Sequence, residues 1–446
     1  MFQFDNSTLR ELADDALKYG AAQGATAMVA EISENAGLNV TVRRQNVETV
    51  EQTRDKSFSV TAYIGDRRGN ASSADFSMAS IRETVDAALN IARFTAPDKF
   101  AGLPAKSDLA RKVPDLDLYH PWDLSTEQAI EIATEAEQAA LGLSAEIGNT
   151  DGASVSTGIG QFVLANSLGF NNGYPYSRHS LSCVPIAVRG DDMQRDYWYA
   201  VDCDPTRLAD ATAIGDYAGR RALARLGSRR LPTQRAPVLF EAPIAAGLLG
   251  HVTQAASGSA LYRGSSFLEG ALNKPLFAKH ISISEEPHLK RNLGGAPFDG
   301  EGVKTRSRKV VDAGVLKGYF LSSYSARKLK MKTTGNAGGS HLLSLESKKT
   351  KPGDDLPAML RKLDRGLFVT ELMGMGVSYV TGDYSRGAAG YWVENGEIQY
   401  PVEEITIAGN LKDMFKNVQA VGSDVMQRGG KKTGSVLLGE MSIAGT

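Results

Sequence analysis

The sequence predicts an α+β protein in two parts: an N-terminal domain mixing helices and strands over residues 1–232, and a β-rich C-terminal domain over 233–446 with one helix packed against it. Three observations carry this. Helix-period and alternating segments are interspersed without the strand–helix–strand rhythm of a doubly wound sheet. The chain holds 46 glycines, about half as many again as the ~7% of average usage. They crowd beyond Gly247, where positive φ and close backbone approach suit tightly turned β structure. Finally, the second half carries two hairpin signals, around Asp312-Ala313-Gly314 and Asn395-Gly396, the latter of the pair type that favours a two-residue turn.

Along the chain, Thr8 and Glu11 form a capping-box pair ahead of Leu9, Leu12, Ala13, Ala16 and Leu17 on one helical face. Ala25 to Ile32, Leu38 to Arg43 and Ser57 to Ile64 alternate and are rich in β-branched residues, so they read as strands, with Gly65 to Asn70 as a turn whose tip holds Arg67 and Arg68. A helix is expected near Met78 to Phe94, and another opened by Ser125 with Gln128 three residues on. Strands follow around Ser154 to Ala165 and Leu181 to Arg189, then a long helix near Arg207 to Leu226. The basic stretch Arg229 to Arg235 reads as a solvated linker. Beyond it come a short strand at Pro237 to Phe240, a helix from Pro243 to about Ala256, the two hairpins, and a buried strand at Ser435 to Leu438. Proline suits the first turn of that helix because its missing N–H would be unpaired there.

Composition excludes several function classes. With 50 basic and 51 acidic side chains the net charge is −1, so no global excess of positive charge is present to neutralise phosphates, and a nucleic-acid role is not expected. No apolar run approaches the ~18 residues needed to span a bilayer, and Met1 to Asp5 lacks a signal-peptide pattern; the expectation is a soluble cytoplasmic protein. Cys183 and Cys203 are too few for a disulfide framework or a thiolate zinc site and read as small buried hydrophobes. Tyr174, Tyr176, Tyr197, Trp198 and Tyr199 are either strand-core residues or an aromatic patch for a partner.

Common catalytic signatures are absent. There is no G-x-G-x-x-G, Gly429-Gly430-Lys431-Lys432-Thr433 lacks the earlier glycine of a phosphate loop, and the six histidines show no i, i+4 pair that would offer two imidazoles to one metal.

Several longer strings do carry a resemblance. Gly382-Asp383-Tyr384-Ser385-Arg386-Gly387-Ala388-Ala389-Gly390-Tyr391-Trp392-Val393-Glu394-Asn395-Gly396 is one, and Thr370-Glu371-Leu372-Met373-Gly374 and Glu404 to Leu411 are others. Ser322 to Leu329 and Gly335-Asn336-Ala337-Gly338-Gly339 stand before them in the same order. Together they resemble the TldD/PmbA peptidase family over essentially the whole chain, most nearly its PmbA (TldE) branch. The resemblance implies a two-subunit metalloprotease of small or unfolded peptides, active in leader-peptide trimming and proteolysis, whose TldD-type subunit holds zinc through an H-E-x-x-x-H helix. In such a motif the histidines bind the metal and the glutamate activates its water.

The matching helix here reads His251-Val252-Thr253-Gln254-Ala255-Ala256. Val252 replaces the glutamate and Ala256 the second histidine, leaving His251 as the remnant. Valine cannot accept a proton, and one imidazole needs further ligands to hold zinc. The resemblance therefore implies a chain with no catalytic or metal-binding residues of its own, no bound cofactor, and a TldD-type partner that carries the zinc, with a homodimer possible when the chain is alone. Two rivals stand beside this: a self-sufficient hydrolase whose metal is held by His251 with distant residues such as His179 or His341, and a non-enzymatic peptide-binding or assembly protein.

The candidate cleft residues are His251, Arg263, Asp383, Tyr384, Ser385 and Arg386. His251 reads either as a buried histidine bonded to a backbone carbonyl or as a ligand. The 382–390 segment reads as a turn-dense loop, either a corner satisfied by its own polar groups or a cleft loop in which Arg386 grips a peptide backbone or carboxylate. Arg263 with Ser265-Ser266-Phe267 lines the same cavity or forms a plain surface loop.

Overall fold

The computed structural model describes residues 2–445. In the first half, α1 (Asn6–Ala22) is followed by β1 (Ala27–Arg43), β2 (Asn46–Ile64), β3 (Arg67–Ser73), α2 (Met78–Phe94) and α3 (Thr126–Leu141). Then come β4 (Asn149–Asn166), β5 (Asn171–Arg189), β6 (Asp192–Arg195), β7 (Trp198–Asp202) and α4 (Ala211–Ala224). The strands make one antiparallel seven-stranded sheet in the order β3-β2-β1-β4-β5-β6, with β7 also paired to β5. Alternation along β1 puts Met28, Ala30 and Ile32 on the same face as Leu38, Val40 and Val42. Helices α1 and α2 cover the first three together with Phe58 and Val60; α3 and α4 cover the second three together with Val155 and Leu181.

The second half comprises β8 (Gln234–Phe240), α5 (Ala242–Ala255), α6 (Gly258–Tyr262), β9 (Ile281–Glu285), β10 (Arg308–Asp312), β11 (Val315–Leu316), α7 (Ser323–Lys328), β12 (Leu343–Ser347) and α8 (Leu356–Leu363). It continues with β13 (Gly366–Val377), β14 (Asp383–Glu394), β15 (Glu397–Asn410), α9 (Leu411–Lys416), β16 (Val418–Val421), β17 (Met426–Arg428), β18 (Lys431–Thr433) and β19 (Val436–Ala444). Two six-stranded sheets, β11-β10-β9-β12-β18-β17 and β15-β14-β13-β8-β19-β16, share one core with α5, in which Phe240, Leu249, Val252, Ile283, Val310, Leu343, Val369 and Leu438 are sealed from water. The expected α+β architecture is what forms.

Local chemistry explains both agreements and departures. Ser125 and Gln128 close the expected capping box on α3. The Asn395-Gly396 turn has both residues at positive φ, and the Ala313-Gly314 turn does the same. On α1, however, the cap is Asp5, whose carboxylate accepts from the Thr8 N–H at 2.6 Å; Thr8 is already inside the helix. The two strands expected at 25–32 and 38–43 are one, because Glu34 to Gly37 stay paired to both β2 and β4. The Gly65 to Asn70 turn is confined to Gly65-Asp66, and Arg67 lies in β3, where it donates to the Arg93 and Thr95 carbonyls at the end of α2. The basic 229–235 stretch is pinned rather than free: the Arg229 guanidinium stacks 4.0 Å from the Tyr400 ring, Arg230 pairs with Glu404, and β8 has begun by Gln234.

Contacts between the halves include the following. Phe298 packs among Phe162, Phe170 and Tyr174 of the first sheet. Arg327 on α7 donates to the carbonyls of Phe100, Gly102 and Leu103 at 2.7–3.0 Å, which gives the Ser322 to Leu329 string a physical role. A buried ionic cluster joins Arg221 of α4 to Glu241, just before α5, at 2.6 Å and to Asp196 at 3.3 Å.

Candidate functional site

Helix α5 enters the second-half core from Glu241. That residue holds the N-cap position but makes no side-chain cap bond, because its carboxylate is committed to Arg221. Its Oε2 is buried without a hydrogen-bond partner, and burial raises its pKa against the pull of Arg221. Pro243 follows in the first turn. Ala245, Leu248, Leu249, Val252 and Ala255 bury the helix against the sheets. His251 then emerges half-buried at the margin of the core.

Its surroundings come from three distant segments. His251 Nδ1 lies 3.0 Å from the Tyr379 hydroxyl, replacing the expected bond to a backbone carbonyl. The Tyr384 ring meets the imidazole edge-on, with centroids 5.6 Å apart. On β18, Lys431 places its ammonium 3.7 Å from where a side chain on Gly250 would begin, which puts it against α5 one residue before His251. Burial first, then the charges of Arg386 and Lys431, push the His251 pKa down to about 4. At neutral pH the ring is an uncharged imidazole facing two cations.

The loop expected at 382–390 is instead strand β14, paired with β13 on one side and β15 on the other. The glycines mislead because they are needed for close approach: a Cβ on Gly390 would lie 1.9 Å from the Phe368 carbonyl oxygen. Strand alternation then divides the candidates. Tyr384 and Arg386 share the face toward His251. Arg386 spans a bulge in β13, donating from Nε to the Met373 carbonyl at 3.0 Å and from Nη2 to the Leu372 carbonyl at 3.3 Å. Asp383 and Ser385 lie on the opposite face. Asp383 is bonded to Thr381 and Asn410, which hold its pKa below the ordinary carboxylate range, and Ser385 is exposed.

Arg263 also stands apart, exposed at the end of α6 with its guanidinium 5.6 Å over Tyr262. Its neighbours do contribute, though as struts. Ser266 donates to the Ala255 carbonyl at the end of α5, and the Phe267 N–H donates to the Tyr379 carbonyl at 2.8 Å, so this loop fixes Tyr379 beside His251. Tyr379 and Lys431 are the site residues that sequence reasoning missed. Nothing in their local pattern marks them; only the fold brings them to His251.

The residues present do not fit zinc. Among the described residues no group of three His, Cys, Asp or Glu side chains could hold a metal. His179 sits in the first sheet with its nitrogens engaged by Thr157 and the His120 carbonyl, both at 2.8 Å. His341 is bonded to the Gly335 carbonyl. Val252 and Ala256 are wholly buried, and the charges nearest His251 are positive. Cys183 and Cys203 are buried, with burial pushing their thiols up to about 12 and about 11. Trp198 is half-buried, packed on Tyr217 and flanked by Arg221 and Arg428, while Tyr176 and Tyr197 are exposed.

Comparison with known proteins agrees along the chain. Models described as PmbA/TldA metallopeptidase domain 1, central domain and C-terminal domain match residues 30–92, 119–226 and 233–445. The metalloprotease PmbA of Escherichia coli O157:H7 is 47% identical over 437 residues, covering 98% of this chain and 96% of its own. The Haemophilus influenzae homolog of PmbA is 44% identical over the same length. Among solved structures, a Bacteroides thetaiotaomicron protein described as a candidate modulator of DNA gyrase superposes with a TM-score of 0.92 at 26% identity, over 98% of this chain and 99% of that one. TldE from Thermococcus kodakarensis shares the fold with a TM-score of 0.85 at 18% identity, over 97% and 100%.

Proposed function

Because this chain belongs to the PmbA/TldA metallopeptidase family, we propose that it serves as the metal-free subunit of a two-chain peptidase whose TldD-type partner carries the zinc. The observation that supports this most is α5. His251 occupies the first position of the expected motif, while Val252 and Ala256, where a general base and a second ligand would stand, are sealed in the core. Two positive groups face the imidazole, a field that repels a divalent cation.

In this reading the chain's work is to complete a chamber around the partner's metal and to admit extended, unfolded peptides. When bound in the partner, zinc would supply the activated water; the residues of this chain bind and orient. Tyr379 and Tyr384 hold the imidazole, and Arg386 and Lys431 make the wall attractive to negative groups. Among the described residues no helix is long and apolar enough to cross a membrane. We propose the cytoplasm as the place of the complex.

The test is assembly with gain of function. Mixing this chain with a TldD-type subunit should give a heteromer by size-exclusion chromatography and raise peptide cleavage above that of either chain. A binding protein that captures peptides but never forms the heteromer would contradict it.

A further inference from the structure

The His251 site holds an excess of unanswered hydrogen-bond donors. The Tyr384 hydroxyl is buried with no partner, on a residue only 2% exposed. Lys431 makes no ion pair among the described residues, nor does Arg386, whose Nε and Nη2 are spent on backbone carbonyls while Nη1 stays free. When His251 Nδ1 accepts from the Tyr379 hydroxyl, the ring's proton is on Nε2, which has no partner among the described residues. A buried polar group without a partner is costly, and two uncompensated cations beside a neutral ring make the cost larger. A ligand rich in acceptors and carrying negative charge would satisfy all of these at once.

We propose that this site binds the terminal carboxylate of a peptide, a deepening that rests on the peptidase reading above. The carboxylate is acceptor-only and bidentate, so one oxygen can take Lys431 and the other Arg386 Nη1 or the Tyr384 hydroxyl. The Lys431 stem lies against α5 at Gly250, its Cε 3.6 Å from the glycine's Cβ position, one residue from His251. The site thus replaces a metal's positive charge with fixed positive side chains: it anchors a chain end and polarises no scissile bond.

The experiment is calorimetric titration of the full-length chain with three probes: tetra-alanine with a free C-terminus, its C-terminal amide, and a tetrapeptide amide with an internal aspartate. The free acid should bind about 10–100-fold more tightly than either amide, the range expected for charge-assisted bonds. Lys431→Met should erase that ratio by weakening the free acid, and Tyr384→Phe, which keeps the ring against His251, should reduce it. Equal affinity for acid and amide, or a ratio indifferent to both variants, would overturn the proposal. An aspartate amide that binds as well as the free acid would overturn the assignment to a chain end. Hydrolysis of a probe by the lone chain would instead sink the partner-subunit reading, and the acid-to-amide ratio would still decide this site.

Discussion

The rings of Tyr384 and His251 meet edge-on, their centroids 5.6 Å apart and their planes nearly perpendicular at 86°, although 133 positions of sequence separate them. This contact places strand β14 of one sheet against the helix that carries the remnant of a metal motif, and the hydroxyl of Tyr379 fixes the ring from another side.

The ring should stay neutral through the physiological range. Its folded pKa is depressed to about 4, below the ~6.5 of a free histidine. The protonated unfolded state is therefore favoured as pH falls from about 6.5 toward 4. Stability should decline over that window, by at most about 3–4 kcal/mol, and be unaffected above it. Denaturant titrations of wild type and His251→Gln between pH 4 and 8 check this: the variant should lose that part of the acid slope. Nitrogen-15 shifts of a charged ring at pH 6 would contradict the assignment.

The Arg221 pair should matter more than its surface counterparts. Arg221 is largely buried between Glu241 and Asp196, and Arg221→Met would leave Glu241 without its paired cation and Asp196 with only Arg225 at 3.8 Å. Loss of one partner from a buried pair costs about 3–5 kcal/mol, measurable by urea unfolding. By comparison, Arg220→Met, which breaks an exposed pair to Asp216, should cost under ~1 kcal/mol.

Glycines of the second half should divide by what surrounds them. Gly390→Ala forces a Cβ to within 1.9 Å of a backbone oxygen and should prevent a stable fold or lower stability by more than ~3 kcal/mol. Gly429→Ala meets nothing within 4 Å but must adopt φ +56°, and should cost only about 1 kcal/mol. Thermal melts of the two variants separate close approach from backbone conformation.

Arg327 should control access to the 98–103 segment. Arg327→Met removes three bonds to carbonyls there, and limited proteolysis should become faster within residues 95–121 without a matching change elsewhere.

How much of this was legible beforehand follows from the range of the determining forces. Helix α2, the capping box of α3 and the Asn395-Gly396 hairpin depend on neighbours within a few residues, and they stand where the pattern puts them. The continuity of β1 through Glu34 to Gly37 depends on two flanking strands, and no local alternation announces it. In β14, Gly390, which resembles a turn signal, is demanded by the Phe368 carbonyl across the sheet. The same holds for the site: His251, Tyr384 and Arg386 were visible through the motif strings, whereas Tyr379 and Lys431 are joined to them only by the packing of α5, β14 and β18.

The most direct test of the account is the zinc content of the purified chain, measured together with its hydrolysis of an unstructured peptide with and without a chelator. The account predicts substoichiometric zinc and no hydrolysis by this chain alone, with activity and metal arriving together when a TldD-type subunit is added. One tightly bound zinc per chain, lost in His251→Ala, with chelator-sensitive cleavage by the lone chain, would contradict it.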